Sequence, residues 1–283
     1  METIKIMAEP QLDRPLAVIG FGGWANAGDI AVSALKFLEK GLETQPLAKF
    51  DPDPYYDFIV HRPRASIRRG QVESLKMPLN EFSFQKGDKS SIILFRGEEP
   101  HLSWPTFVRE MLELLGRFGV DLVITLGGTY DERLHTDPPK ISVVAEDMVL
   151  AEGLFCMGGC PGEYRGPVSI HTLLYMACRE RGINVVSLWG HAPVYVQTGN
   201  FGIVRRMLEL ITSLGGPRLD LDSLSEAGLE MEEQIESLIS HSPKLSGYIK
   251  KLKTDLTLRE AGDGLLPRNR AKVIPIRPFK NEE

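Results

Sequence analysis

The chain is short of cysteine, of long apolar runs and of any strong charge excess, and each shortage removes a class of protein. It holds 3 cysteines in 283 residues. That number is odd and too small to frame a disulfide-stapled fold. No apolar run approaches the roughly 18–20 residues that cross a bilayer, so no membrane partner is expected. Met1–Pro10 carries acids and lacks the basic-then-apolar order of a signal peptide, which predicts a cytoplasmic protein. Lys plus Arg number 33 against 38 Asp plus Glu, a net charge of −5. A field of that sign does not gather nucleic acid. A phosphate loop of the G-x-x-x-x-G-K-[ST] type is missing, and neither Ser169 nor Ser187 sits in a G-x-S-x-G elbow.

What is present is an ordinary core-forming composition, 42% apolar and 25% charged. Short apolar runs alternate with segments of helical period. Leu16–Gly20, Ser91–Phe95, Asp121–Leu126 and Asn184–Leu188 are predicted strands, with a weaker one at Tyr56–His61. Helical stripes fall on Ala31, Ala34, Leu35 and Leu38, on Phe107, Met111, Leu114 and Leu115, and on Ile170, Leu173, Leu174 and Cys178. Gly119 and Gly182 stand where the last two of these should stop. Strand, helix and strand in series predict an α/β fold, a mostly parallel sheet with helices on both faces.

Asn200 is a candidate cap for a helix striped by Ile203, Met207, Leu210 and Ile211. Beyond Gly215-Gly216-Pro217 the character changes. Leu224, Met231, Ile235 and Leu238 line an acidic helix, Ser242-Pro243 reads as a cap with a first-turn proline, and Leu245, Ile249, Leu252 and Leu256 stripe another helix. The predicted organisation is an α/β body over 1–217, a C-terminal helical hairpin over 218–258 and a basic, proline-containing tail over 259–283. A nucleic-acid role for that tail, through Arg268, Arg270 and Lys272, is the least favoured of the functions considered.

Candidate chemistry gathers in loops that follow strands, where ligands of open α/β sheets bind. Gly20, Gly22 and Ala25 meet the relaxed G-x-G-x-x-A pattern, so Gly22, Gly23, Trp24, Asn26 and Asp29 could bring amides to an anion at a helix start. A tight strand-to-helix turn needs the same small residues. Glu43 lies near the distance of a ribose-binding acid, with no clean second strand ending there. Asp57 and Arg62 could face one another across a loop. Glu98 and Glu99 are paired acids beyond a strand, with His101 beside them, and His135 and His191 follow two others. Cys156 and Cys160 have C-x-x-x-C spacing, which fits neither a zinc nor a redox pair. No cofactor and no metal are expected.

Taken in order, several of these strings resemble the proteasome assembly chaperone 2 (PAC2) family. They are Gly20-Phe21-Gly22-Gly23-Trp24-Ala25-Asn26-Ala27-Gly28-Asp29, Phe50-Asp51-Pro52-Asp53-Pro54-Tyr55-Tyr56-Asp57-Phe58 with Arg62-Pro63, Arg96-Gly97-Glu98-Glu99-Pro100 with Trp104, Leu126-Gly127-Gly128-Thr129, Tyr164-Arg165-Gly166-Pro167, and Leu188-Trp189-Gly190-His191-Ala192-Pro193. The likeness covers about residues 10–245 and is nearest the prokaryotic branch, some of which has been loosely labelled ATP-grasp-like. It implies a three-layer α/β/α fold related to nucleoside phosphorylases, without their activity. It also implies self-assembly into a homo-oligomer and, in some relatives, help in assembling proteasome rings. Archaeal relatives end in a hydrophobic–Tyr–any tail that docks on the proteasome. This chain ends Phe279-Lys280-Asn281-Glu282-Glu283, so docking by its tail is not expected. The loop around His135 follows the family's Pro-His-x-x-Pro ending only roughly.

The favoured reading is therefore a non-enzymatic, homo-oligomeric assembly or scaffold protein with a protein client. Contact surfaces are expected at the apolar C-terminal hairpin and at the loops bearing Trp24 and Trp104. The alternative is a small-molecule enzyme or binding protein whose polar cleft uses Asp29, Asp57, Arg62, Glu98 and His191.

Overall fold

A computed structural model of the chain describes residues 3–87 and 90–261. Its strands are β1 (Ile4–Ile6), β2 (Leu16–Gly22), β3 (Gln45–Phe50), β4 (Arg64–Arg68), β5 (Gln71–Lys76), β6 (Asn80–Gln85), β7 (Ile92–Glu98), β8 (Leu122–Asp131), β9 (Ile141–Ala145), β10 (Cys160–Pro161) and β11 (Asn184–Pro193). Its helices are α1 (Ile30–Gly41), α2 (Trp104–Arg117), α3 (Met148–Cys156), α4 (Ile170–Glu180), α5 (Phe201–Ser213), α6 (Asp222–His241) and α7 (Pro243–Ala261).

Nine strands form one sheet in the order β1-β3-β6-β7-β2-β8-β11-β9-β10. The four central strands β7, β2, β8 and β11 are mutually parallel. They are the segments whose apolar runs are unbroken, because a strand covered on both faces has no polar side to alternate with. The flanking pairs β3–β6, β6–β7 and β9–β11 are antiparallel. Helices α1 and α5, with Leu154 of α3, bury one face around Val18, Leu94, Ile124 and Leu188. Helices α2 and α4 bury the other around Ile19, Phe95, Val123 and Val185. The three-layer α/β expectation holds, with the parallel pairing concentrated at the centre.

Gly119 and Gly182 terminate α2 and α4 with φ of 73° and 68°. In each case the next residue donates its N–H to a carbonyl of the last turn, Val120 to Leu115 and Ile183 to Cys178. Ser242 caps α7, its Oγ accepting from Leu245 N at 3.3 Å. Asn200 precedes α5 without capping it. Its Nδ2 donates to Gly28 O at 2.9 Å, tying two loops together.

The G-x-G-x-x-A pattern after β2 has no second parallel strand behind it, in keeping with the sequence around Glu43: β3 lies near the sheet edge and pairs antiparallel with β1 and β6. Two expectations need correction. Tyr56–His61 is not a strand but a succession of turns, Tyr56 N bonding Pro52 O and His61 N bonding Asp57 O. Asp57 Oδ1 accepts from Ile59 N, a local side-chain turn that competes with a strand ladder. The C-terminal hairpin does not offer its apolar stripe to solvent. Ile235, Leu245, Ile249 and Leu252 are buried against Tyr195 and Val196, which follow β11. The basic tail from Gly262 onward lies outside the described residues.

Candidate functional site

The four parallel strands end together, and most of the candidate residues meet there. Gly22 pairs with Glu98 across β2 and β7, and the Glu98 carboxylate lies over Gly22 where a side chain would stand. Asn26 forms an isolated bridge to Gly128 at the end of β8. Asp57 and Arg62 stand apart, in the turns that lead to the β4–β5 ribbon, and Arg62 is exposed. The Asp57 carboxylate accepts from Ile59 N at 2.8 Å, and among the described residues no ion pair joins it to Arg62.

The glycine-rich loop spends its polar atoms on its own backbone. Asn26 Oδ1 accepts from Ala31 N at 2.9 Å and from Val32 N at 3.2 Å, capping α1 from within the loop. Asn26 Nδ2 donates to Asp29 Oδ1 at 2.9 Å, and Asp29 Oδ2 accepts from Ser33 Oγ at 3.3 Å. Two of the amides that a phosphate would need at this helix start are occupied by the Asn26 side chain, 5 and 6 residues earlier in the chain. Glu99 does the same for α4, its Oε1 accepting from Ile170 N at 2.9 Å. Burial of the Glu99 carboxyl raises its pKa, and the Ile170 amide opposes that rise. Trp24 is exposed, whereas Trp104 is half-buried and donates Nε1 to Pro100 O at 2.6 Å.

Behind the loop, His171 is wholly buried among Phe21 and Trp189, ring centroids 5.3 and 5.4 Å away, with Nδ1 3.1 Å from Ser169 Oγ. Burial pushes its pKa down to about 4, so the ring is neutral. His171 is absent from the candidate site residues read from the sequence, since it stands beside the apolar stripe of α4 with no motif around it.

His191 has partners that sequence spacing did not reveal. Its Nδ1 donates to Asp131 Oδ2 at 2.9 Å and its Nε2 accepts from Ser142 Oγ at 2.6 Å. Asp131 also takes Lys140 Nζ at 3.0 Å. The His191 hydrogen bond and then Lys140 hold the Asp131 carboxyl well below the usual carboxylate range, against the opposing effect of burial. These groups sit on adjacent strands: β11 lies between β8 and β9, so residues far apart in sequence share one face. Cys160, on β10 beside β9, turns its Sγ to Ile141 O at 3.3 Å. Among the described residues no group of three or more His, Cys, Asp or Glu is placed to hold a metal ion.

His135 lies elsewhere. Its backbone N–H and ring Nδ1 both meet Tyr195 Oη at 2.8 Å, and its Nε2 meets Glu236 of α6 at 3.1 Å. It pins the C-terminal hairpin to the body. Beside it, a cleft of about 90 Å³ lies between the 133–139 loop, Asn200 and α6. Pockets that hold drug-sized ligands run to about 300–1,000 Å³, so this one suits a few waters.

Among the described residues, no helix is long and apolar enough to cross a membrane. A profile of the PAC2 family matches residues 20–239. No curated protein matches the chain. Among solved structures, a PAC2 family protein from Streptomyces avermitilis is 30% identical with a TM-score of 0.73, over 83% of this chain and 99% of that one. A proteasome-assembly chaperone homologue from Mycobacterium tuberculosis is 27% identical with a TM-score of 0.72, over the same shares of 83% and 99%. An archaeal proteasome activator from Pyrococcus furiosus shares the fold at 20% identity and a TM-score of 0.65, over 83% and 98%. The matched profile spans the body and most of α6, and with the glycine-rich loop and the strand-end motifs it carries, the chain belongs to the PAC2 family.

Proposed function

We propose that this chain is a non-catalytic, self-associating assembly protein that acts on a protein client. One observation carries the reading: at the ends of the parallel strands, where an α/β enzyme would open a ligand cavity, Asn26 and Glu99 are spent on capping the chain's own helices and Asp29 is spent on the side chains of Asn26 and Ser33. Family membership and the likeness to a proteasome-assembly chaperone homologue support it. Three cysteines without a disulfide fit work in the reducing cytoplasm. Native mass spectrometry of the untagged protein from its own host tests the reading. A homo-oligomer with a protein partner in fixed ratio is expected; a monomer carrying a small molecule overturns it.

The Asp131–His191–Ser142 chain favours a second reading, a serine nucleophile. Ser142 Oγ would pass its proton to His191 Nε2 as it attacks an acyl or phosphoryl centre, the bond to the leaving group breaking and His191 handing that group the proton, with Asp131 orienting the imidazole. A fluorophosphonate probe should then add to Ser142 and not to the Ser142→Ala variant. No adduct after prolonged exposure removes this reading.

A further inference from the structure

Arg133 is a buried cation without a counter-charge. It is 9% exposed. Its side chain makes one hydrogen bond among the described residues, from Nη2 to Pro138 O, and no carboxylate among them forms an ion pair with it. A guanidinium carries five N–H donors, and a charge buried without a partner is costly. Arg133 lines the cleft between the 133–139 loop and α6. Pro139, next to the carbonyl that Arg133 holds, lines the same cleft, which puts the guanidinium at its wall.

The start of α5 forms another wall. The first amides of a helix have no acceptor within it. Ile203 N and Val204 N both bond Asn200 O, whereas Phe201 N and Gly202 N have no acceptor among the described residues. Asn200 stands where a cap belongs, but its side chain is turned away to Gly28 O. Gly228 of α6 faces this helix start: a Cβ there would lie 3.8 Å from Gly202 N. A Cβ on Gly202 would lie 3.6 Å from Pro139 Cγ. Two glycines therefore leave space in front of free amides, at the positive end of a 13-residue helix and beside an unanswered guanidinium.

The remaining groups narrow the ligand. Asp137 and Glu232 also border the cleft. Asp137 Oδ2 accepts from Leu134 N at 2.8 Å, and Glu232 is exposed. His135 is committed to Tyr195 and Glu236. An anion without a proton would be repelled by the two carboxylates, but an oxyanion that keeps one can donate it to either. The volume of about 90 Å³ is that of about three waters at roughly 30 Å³ each, room for a tetrahedral oxyanion and not for a nucleotide.

We propose that this cleft binds hydrogen phosphate, with Arg133 and the Phe201 and Gly202 amides holding its charged oxygens and Asp137 or Glu232 accepting its O–H. The site stands apart from the strand-end loops and needs no self-association, so it goes beyond the function proposed above. Bound phosphate joins the 133–139 loop, α5 and α6, and so fastens the C-terminal hairpin to the body.

The test is calorimetric titration of the full chain near pH 7, in buffer free of phosphate and sulfate, with inorganic phosphate and separately with sulfate. Phosphate should bind one to one and raise the melting temperature, and sulfate, which has no proton to give, should bind at least about tenfold more weakly. Arg133→Gln should weaken phosphate about tenfold or more. Gly228→Ala adds a methyl with no contact closer than 3.8 Å, so the ligand-free chain should melt as the wild type does while phosphate binds about threefold or more weakly. Should Arg133→Gln fail to fold, Gly228→Ala decides. No saturable binding of phosphate, or binding left unchanged by either folded variant, overturns the site. Sulfate bound as tightly as phosphate overturns the hydrogen bond to a carboxylate and with it the choice of ligand.

Discussion

The loop after β2 and the β4–β5 ribbon show how differently two conspicuous stretches can spend their residues. The loop has the composition of a ligand cradle, yet Asn26 satisfies two backbone amides of α1 and Asp29 is held by the side chains of Asn26 and Ser33. The ribbon has no catalytic look, yet among the described residues Ile67, Val72 and Leu75 are left without cover. The first region is consumed internally and governs folding. The second contributes no residue to the core.

Substitutions can break this contrast. The largest effect is expected at Gly128, where an added Cβ would stand 2.2 Å from Ala27 O, a backbone atom with no room to yield. Gly128→Ala should cost about 3 kcal/mol in a urea titration. A similar loss should come from acid acting on His171. Its folded pKa of about 4 lies below the ordinary 6.5, so the unfolded chain binds the extra proton. Stability should fall as the pH drops below about 6.5 and level off near 4, a loss of about 3 kcal/mol that His171→Leu removes from the pH profile.

Asn26→Ala comes next, at about 1–2 kcal/mol, because α1 loses its cap and Asp29 loses a donor. The smallest stability change is expected at the ribbon. Ile67→Ser should change the unfolding free energy by less than about 0.5 kcal/mol in the same urea titration. If Ile67→Ser unfolds the protein, or Asn26→Ala leaves its stability untouched, the division between the two regions is wrong.

The same division explains what the sequence made legible. β2, β7, β8 and β11 stand out because each is buried on both faces and reads as a continuous apolar run. β3 and β6 do not, since Gln45, Lys49 and Glu81 face outward and interrupt the apolar residues. β4 and β5 are hidden more completely, because a ribbon with no core behind it has no burial pattern to betray it. At the candidate site, Glu99 lies just past β7 as the strand run Ser91–Phe95 implies, whereas Glu98 is still within the strand, paired with Gly22. The Ser142 contact to His191 was not, because it spans 49 residues and depends on which strand slides between which others. Asn26 was visible as a loop residue, but its capping role depends on how tightly the loop turns back on α1.

That order of strands also sets a schedule for synthesis. β8 and β9 follow one another in the chain, yet β11 separates them in the sheet and arrives some 40 residues after β9 ends. Until residues 184–193 emerge, β8 has one bare edge and β9 lacks its antiparallel neighbour. The slot between them is therefore the last central position to close, at the expense of a long loop closure. A nascent chain stalled there displays two unpaired ladders, and what enters the slot decides whether it matures or joins the chain beside it.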